Sequence, residues 1–180
     1  MRTLAYHEAT PGHHHQIAHS LENESLTMYR RFGYGTSAFS EGWALYAERL
    51  ALEVGLAEDP YDELGILQSE LFRAVRLVVD TGMHYKKWTR EEAMKYMKSK
   101  TGMSDTEVRV EIERYIVWPG QALSYKVGMI KILELREKAK KELGDRFNIK
   151  DFHSAVLDHG NPPLFIVEEM VDKMIEESRG

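Results

Sequence analysis

Apolar side chains recur at helical spacing over much of the chain. Residues 42–54 place charged groups between the apolar residues Trp43, Leu45, Tyr46, Leu50 and Val54, a period typical of an amphipathic helix. Residues 61–80 repeat the pattern, with one apolar face formed by Leu64, Leu67, Leu71, Val75 and Val78. We find no segment with the alternation of apolar and polar residues that indicates a strand. The sequence therefore predicts an all-α fold.

Capping signals divide the remaining chain into further helices. Thr89 with Glu92, and Ser104 with Glu107, match the capping box, in which a hydroxyl and a carboxylate each bind a backbone N–H group. Pro119 removes a backbone donor, so the helix that begins near 105 is expected to end or kink at 118. Further helices are predicted at 121–143, 150–158 and 164–178, and an irregular loop at 21–40, while Asp80-Thr81-Gly82 should stop the helix at 61–80.

Composition narrows the classes of function. The length of 180 residues fits one domain, so we expect 1–180 to form a single helical unit. The net charge of −5, with Lys and Arg mixed among Glu, argues against a nucleic-acid partner. Because the chain has no cysteine, any metal must be held by histidine and carboxylate. The chain start lacks a secretory signal and no run reaches the ~20 apolar residues of a membrane span, which predicts a cytoplasmic protein without a membrane partner.

The segment HEATPGHHHQ, residues 7–16, carries the most specific chemistry. In the zinc-hydrolase motif H-E-x-x-H, two histidines lie one helical turn apart and reach the same metal, while the glutamate faces the bound water. Pro11 interrupts that motif here. Without Pro11 and Gly12 the segment would read H-E-A-T-H, and a bulge at this pair would restore the register. His7 and His13 are therefore the favoured ligands.

His14 is an alternative second ligand. Seven residues are nearly two turns of an undistorted helix, so His14 would share a face with His7. The rise of ~1.5 Å per residue separates these two backbones by about 10 Å along the axis, which favours His13. The histidine run could also be a solvated segment that binds nothing. His15 and His19 carry no comparable argument and are expected at the surface or behind the ligands.

A catalytic zinc needs a third protein ligand, which in one large class is a glutamate from a downstream helix. Glu41 is the candidate, because it begins a predicted helix whose Gly42 would permit close approach to the first helix. A glutamate at this position could instead only stabilise the helix dipole. Glu48, two turns further on, either hydrogen-bonds a ligand histidine or is solvated. Glu8 would act as the general base on the metal-bound water.

An oxyanion donor is also required for hydrolysis. Tyr115 and His84 are the first candidates, and Tyr125 and His153 are further ones. Each has a structural alternative, because a tyrosine can be a core residue with a satisfied hydroxyl and a histidine can cap a helix.

Five segments resemble, in this order, the C-terminal catalytic half of the bacterial domain-of-unknown-function family 885: HEATPGHHHQ, SEGWALYAE, RLVVDTGMH, RYIVWPGQALSYKVG and FHSAVLDHG. That family looks like a branch of the gluzincin metallopeptidases. The resemblance implies that Glu41 is the third zinc ligand, as in similar segments of gluzincin aminopeptidases. It also implies that Tyr115 assists the oxyanion, because Arg114-Tyr115 is similar to a pair in the angiotensin-converting-enzyme group. Members of the family are several times longer than this chain.

These observations predict a zinc-dependent peptidase or related amide hydrolase, with Zn²⁺ as its cofactor and a peptide as its substrate. One alternative is a helical module that binds zinc or a partner without turnover. Another is a structural protein whose histidines bind no metal. An apolar wall left uncovered by the shorter chain would favour a homo-oligomer.

Overall fold

Helices account for the regular structure of the computed structural model, which describes residues 2–33 and 35–179 and holds no strand among them. The helices are α1 (Arg2–Glu8), α2 (His13–Glu22), α3 (Met28–Phe32), α4 (Ser37–Glu53), α5 (Pro60–His84), α6 (Arg90–Thr101), α7 (Asp105–Val117), α8 (Ser124–Leu143), α9 (Ile149–Leu157) and α10 (Leu164–Glu177). Short 3-10 turns at Gln121–Leu123 and Gly144–Arg146 flank α8. The all-α prediction is confirmed. Within the described residues, no helix is long and apolar enough to cross a membrane.

The starts of α6 and α7 and the end of α7 lie where the sequence predicts them. Both capping boxes are present, at Thr89 before α6 and at Ser104 before α7, and α7 ends at Val117, two residues before Pro119. The predicted stop of α5 at Asp80-Thr81-Gly82 is wrong, because the helix continues to His84. Gly82 has a packing role instead, since a Cβ there would lie 2.5 Å from the Trp88 ring. The predicted loop at 21–40 contains α3 and the start of α4.

Helix α4 is the centre of the molecule. Residues 42–48 are buried without interruption, so neighbouring elements cover every face of this part of the helix. Helix α8 packs on one side, and α1 and α2 cover another. Gly42 allows the close approach of α8, because a Cβ on Gly42 would lie 2.4 Å from the Gly128 Cα. The expectation that Gly42 serves contact with the first helix is therefore wrong.

The buried apolar residues form two cores. The first joins α4, α8, α9 and α10 and includes Trp43, Tyr125 and Phe152. The second joins α5, α6 and α7 and includes Val79 and Tyr115. Each core fixes the orientation of the helices that carry the polar residues described below, because close-packed interiors resist displacement of their elements.

The apolar face predicted for α5 is mostly exposed to solvent. Of its five residues only Val75 is buried, whereas Leu64, Leu67, Leu71 and Val78 are exposed. The buried side of α5 carries charged residues among its apolar ones.

Candidate metal centre

The first two helices are separated by a sharp break at residues 9–12. The sequence predicts a bulge at this place, but the helix ends at Glu8 and a new one begins at His13. Gly12 lies against the end of α1, where a Cβ would come within 1.8 Å of the His7 carbonyl oxygen. Because only glycine fits there, the chain can turn back on itself and bring the start of α2 beside the end of α1.

Hydrogen bonds attach the break and α1 to the rest of the fold. The break contains a cis peptide bond between Thr10 and Pro11, and the Trp43 indole N–H of α4 donates to the Pro11 carbonyl oxygen at 2.9 Å. The Tyr6 hydroxyl of α1 donates to the Leu56 carbonyl oxygen at 2.7 Å, in the segment between α4 and α5. The break is thus held against α4.

Three predicted ligands converge at this junction. His7, His13 and Glu41 each offer one ligand atom, and these atoms lie within 4.8 Å of one another. Glu41 Oε2 lies 3.2 Å from His13 Nε2 and 3.8 Å from His7 Nε2. Ligands of a tetrahedral zinc with bonds of ~2.0–2.1 Å are separated by about 3.3 Å, which is close to the two distances from Glu41. His14 is exposed to solvent, and the structure brings His13 beside His7 instead.

Electrostatics keep the carboxylate of this group ionised. Burial acts to raise the pKa of Glu41, but hydrogen bonds with His13 and His7 outweigh it and lower that pKa to about 2. Burial acts to lower the pKa of His7, but its hydrogen bonds with Glu41 and Glu48 raise the pKa overall. A carboxylate that stays charged in a partly buried place attracts a cation.

Glu48 is the buried partner of a candidate ligand. Its side chain is 1% exposed, and Oε1 lies 2.6 Å from His7 Nδ1. When His7 donates from Nδ1, the lone pair of Nε2 faces Glu41 and His13. Histidines that bind metals commonly donate their second ring nitrogen to a carboxylate in this way. Of the two sequence interpretations of Glu48, the hydrogen-bonded one describes the structure.

Glu8 occupies the last position of α1, directly after His7. Its side chain is exposed to solvent. The contacts described for this chain include no hydrogen bond or ion pair of its carboxylate. Glu8 is therefore available to a molecule that enters from solvent.

Tyr115 and His84 lie in the packing of α5 against α7. The Tyr115 hydroxyl accepts a hydrogen bond from Arg76 Nε at 2.7 Å and donates one to Glu111. Burial raises the pKa of Tyr115 above its usual range. The His84 ring donates from Nε2 to the Tyr115 carbonyl oxygen at 2.9 Å. These contacts give both residues a structural role, and their predicted part in catalysis stays a prediction.

Tyr125 is the tyrosine beside the candidate ligands. Its ring is stacked on the His7 ring, with 6.3 Å between the centroids and 20° between the planes. The side chain is 8% exposed. Its hydroxyl has no hydrogen bond to any of the described residues, in contrast to that of Tyr115.

The remaining histidine candidates are engaged elsewhere. His153 Nε2 lies 2.8 Å from the Tyr46 hydroxyl in the first core, and burial lowers the pKa of His153 to about 4. His19 Nε2 lies 2.6 Å from Asp158 Oδ1 and links α2 to the end of α9, while His15 is exposed. His15 is at the surface, as expected, whereas His19 is half-buried and contacts Asp158, not a candidate ligand.

Sequence reasoning missed two arginines of α5, the buried Arg76 and the half-buried Arg73. Arg76 is 4% exposed, and its guanidinium lies 4.6 Å from the centre of the Tyr125 ring. Arg73 lies one turn earlier, 5.7 Å from the same ring centre. A signal was present, because Arg73, Arg76 and Asp80 form a charged stripe at helical spacing within an otherwise apolar helix.

Two solved structures are similar to this chain over most of its length. A crystal structure of a "putative lipoprotein" from Colwellia psychrerythraea is similar with a TM-score of 0.94 and 52% identity, and the match covers 98% of this chain and 30% of that chain. A structure of a "putative lipoprotein of unknown function" from Shewanella oneidensis gives a TM-score of 0.86 and 30% identity, covering 94% of this chain and 31% of that chain. No curated protein matches.

The chain spans about a third of the length of these two solved relatives. The cytoplasmic location expected from the sequence stays a prediction. A family model described as "Bacterial protein of unknown function (DUF885)" matches residues 1–171. Since that match extends over nearly the whole sequence, the chain belongs to the DUF885 family.

Proposed function

We propose that this chain forms a zinc-dependent peptidase or related amide-hydrolase site, in which His7, His13 and Glu41 hold Zn²⁺. The observation that carries the proposal is the convergence of these three side chains from α1, α2 and α4, with their ligand atoms within 4.8 Å of one another. The segment around Glu41, which is similar to the one that carries the third zinc ligand in gluzincin aminopeptidases, supports the same assignment.

The donor set fits a catalytic zinc. Two imidazoles and one carboxylate are a common set for zinc hydrolases, and three protein ligands leave the fourth position open. Glu48 behind His7 supplies the carboxylate that orients a ligand imidazole. Zinc, when bound, polarises the scissile carbonyl and makes a water molecule acidic near neutral pH.

The protein groups around the site divide the proton and charge transfers of hydrolysis. Glu8 accepts the proton of the attacking water and passes it to the leaving amine, because its exposed carboxylate follows His7 directly. Tyr125 donates its hydroxyl proton in a hydrogen bond to the developing oxyanion, because its ring lies against His7. Tyr125 takes this role in place of Tyr115, whose hydroxyl is bound to Arg76 and Glu111.

Metal content is the first test. Untagged protein purified without added metal should contain about one zinc per chain, measured by elemental mass spectrometry. The His13→Ala and Glu41→Ala variants should contain no zinc. His14→Ala is the matched control for His13, because the neighbouring ring is exposed, and it should retain the zinc. Wild-type protein without zinc, or zinc retained in Glu41→Ala, would contradict the proposed site.

Turnover separates the hydrolase from a module that only binds zinc. Glu8→Gln should retain zinc and hydrolyse a peptide mixture about 10²–10⁴-fold more slowly than wild type, because a general base contributes about that factor to the rate. Glu22→Gln, an exposed glutamate of α2, is the control and should keep the wild-type rate. Zinc-bearing wild type that hydrolyses no peptide would favour the binding module.

A further inference from the structure

The side of α5 that faces solvent is apolar over most of its length. Its large apolar residues are exposed by 58%, 46%, 46% and 38%, respectively: Leu64, Leu67, Leu71 and Val78. The other exposed residues of α5 between positions 64 and 81 are Gln68 and Thr81, so this stretch presents no charge to solvent. A helix face that meets only water normally carries charged residues. An exposed apolar patch of this kind commonly marks a surface that another molecule covers.

The spacing of these residues is typical of a contact between two helices. Leu64, Leu71 and Val78 recur every seven residues, and positions 67, 74 and 81 each follow one of them by three. This alternation of three and four residues forms the seam of a coiled coil. We call these six positions, 64, 67, 71, 74, 78 and 81, the α5 seam. Its middle carries the small, half-buried Ala74, which allows a second helix to come close.

Charged residues of opposite sign lie at the two ends of the α5 seam. Glu63 is exposed directly before it, and Lys86 and Lys87 are exposed a few residues after it. The hydrogen bonds and ion pairs described for this chain include no side-chain partner for any of the three. Each end therefore offers a charge that is available to a second molecule.

The apolar part of the α5 seam is complementary to a second copy of itself. Its first half consists of leucines, whereas its second half consists of the smaller residues Ala74, Val78 and Thr81. In an antiparallel pair with a two-fold axis, Leu71 of each copy can lie beside Ala74 of the other, and Leu67 then lies beside Val78. Every layer of the contact would thus pair a large residue with a smaller one, which is how closely packed layers interdigitate.

The charges at the ends favour the same antiparallel direction. In the arrangement just described, Glu63 lies at the height of residue 82 of the second copy, roughly 6 Å along the axis from Lys86. A lysine side chain spans that distance, so a carboxylate meets an ammonium group at both ends of the contact. A parallel pair would instead place like charges beside each other, which is unfavourable.

We propose that this chain forms a two-fold symmetric dimer in which the α5 seams of two copies pack antiparallel. Burial of the leucines and of Val78 supplies the free energy of association, and the charged ends set the direction. A surface for an unrelated partner would not need the two halves of the seam to match each other. The candidate zinc ligands lie on α1, α2 and α4, so this contact uses none of them.

The mass of the untagged protein in solution tests the proposal. Light scattering during size-exclusion chromatography at high protein concentration should give twice the mass of one chain. Leu67→Glu combined with Leu71→Glu should give the mass of one chain, because the contact would have to bury unpaired carboxylates. Phe165→Glu is the matched control, since Phe165 is a similarly exposed apolar residue of α10, and it should remain dimeric. Far-UV circular dichroism verifies that each variant is folded.

Reversal of the end charges tests the antiparallel direction. Glu63→Lys should raise the dissociation constant of the dimer by about tenfold, because the lost attraction and the new repulsion occur twice in a symmetric dimer. Lys86→Glu combined with Lys87→Glu should have a similar effect. All three substitutions together should restore the wild-type constant, since opposite charges meet again. Sedimentation of each protein over a range of concentrations measures the constants.

Three results would overturn the proposal. A wild-type chain that stays monomeric at high concentration would leave the α5 seam to a different polypeptide. A dimer that persists in the variant with both leucines replaced would place the interface elsewhere. A triple charge variant that dimerises no better than its parents would exclude the antiparallel direction. Zinc content, measured on the same samples, reports separately on the proposed hydrolase.

Discussion

Two buried polar groups meet at Tyr125 and differ in how their atoms face one another. In the arginine cluster of Arg76, Tyr115 and Glu111, donors face acceptors, since Arg76 donates to the tyrosine hydroxyl and that hydroxyl donates to the carboxylate. The ligand cluster instead places two ring nitrogens beside one carboxylate oxygen, since Glu41 Oε2 lies 3.8 Å from His7 Nε2 and 3.2 Å from His13 Nε2. Donor–acceptor pairing completes the first cluster, whereas the second needs a proton or a cation between its atoms.

This difference separates a structural network from a candidate site. The paired donors and acceptors of the arginine cluster hold α5 to α7 without a ligand. One atom of this cluster, Arg76 Nη1, has no hydrogen-bond partner among the described residues. In the ligand cluster, the contact between Glu41 and a histidine is a hydrogen bond only while the ring nitrogen carries a proton, and a bound metal would replace that proton. We therefore expect substitutions in the arginine cluster to change stability, and substitutions around the ligand cluster to change metal binding.

Glu48→Gln and Glu111→Gln give the largest contrast. Both remove the charge of a buried or half-buried glutamate without removing its volume. Glu48→Gln should weaken zinc binding by about 10–100-fold, because the carboxylate that orients His7 is lost. Glu111→Gln should leave zinc affinity unchanged and lower the thermal midpoint, because Arg76 loses its ionic partner. Competition with a zinc chelator measures the affinities, and equal zinc affinity in the two variants would remove the distinction between the clusters.

The ligand cluster could be predicted from the sequence because two of its three residues, His7 and His13, lie in one short segment. The spacing of His7 and His13, together with Pro11 and Gly12, points to a distorted helical turn, and Glu41 follows from the known chemistry of such sites. The form of the distortion was not predictable. A bulge and a clean break both follow from a proline and glycine pair, and the choice depends on contacts with α4, such as that of Trp43 with the Pro11 carbonyl oxygen.

The arginine cluster could not be predicted, because its contacts join distant parts of the chain. Arg76 and Tyr115 come from α5 and α7, and nothing in either helix alone indicates that they meet. From the sequence, the similarity of Arg114-Tyr115 to a catalytic pair favoured a catalytic role for Tyr115. The sequence did not show which residue its hydroxyl binds. The same limitation applies to α5, whose apolar face at Leu67 and Leu71 is exposed although its period is ideal for packing. Periodicity identifies a helix but not which face the fold covers.

Removing the hydroxyl of Tyr115 or Tyr125 should give a smaller difference between the arginine cluster and the ligand cluster. Tyr115→Phe should lower the free energy of unfolding by about 1–3 kcal/mol, because Arg76 Nε and Glu111 lose a buried partner. Tyr125→Phe should change it by less than about 0.5 kcal/mol, since no described residue binds that hydroxyl, and should reduce peptide turnover instead. Urea unfolding followed by circular dichroism gives the stabilities. A larger stability loss in Tyr125→Phe than in Tyr115→Phe would reverse the assignment of the two tyrosines.

The smallest effect concerns a histidine whose environment is the opposite of that of His7. His153 packs against Trp43 and Tyr46 of the first core, and its Nε2 accepts a hydrogen bond from the Tyr46 hydroxyl, which in turn accepts one from Arg136. A proton on Nε2 would remove that acceptor and add a charge close to Arg136. Burial, with a further contribution from Arg136, lowers the pKa of His153 to about 4.

The pKa of His153 is lower in the folded chain than the usual 6.5 of the unfolded chain. Between these two pKa values, His153 is protonated in the unfolded chain and neutral in the folded chain. Stability from this residue is therefore fully present above pH 6.5 and falls as the pH drops below it. From pH 7.5 to 6 the loss should be about 0.8 kcal/mol, and His153→Gln should remove that part of the pH dependence. Urea unfolding at both pH values, on wild type beside the variant, measures the difference. Parallel losses in the two proteins would mean that His153 is protonated as readily in the fold as in the unfolded chain, and that its hydrogen bond with Tyr46 does not require the neutral ring.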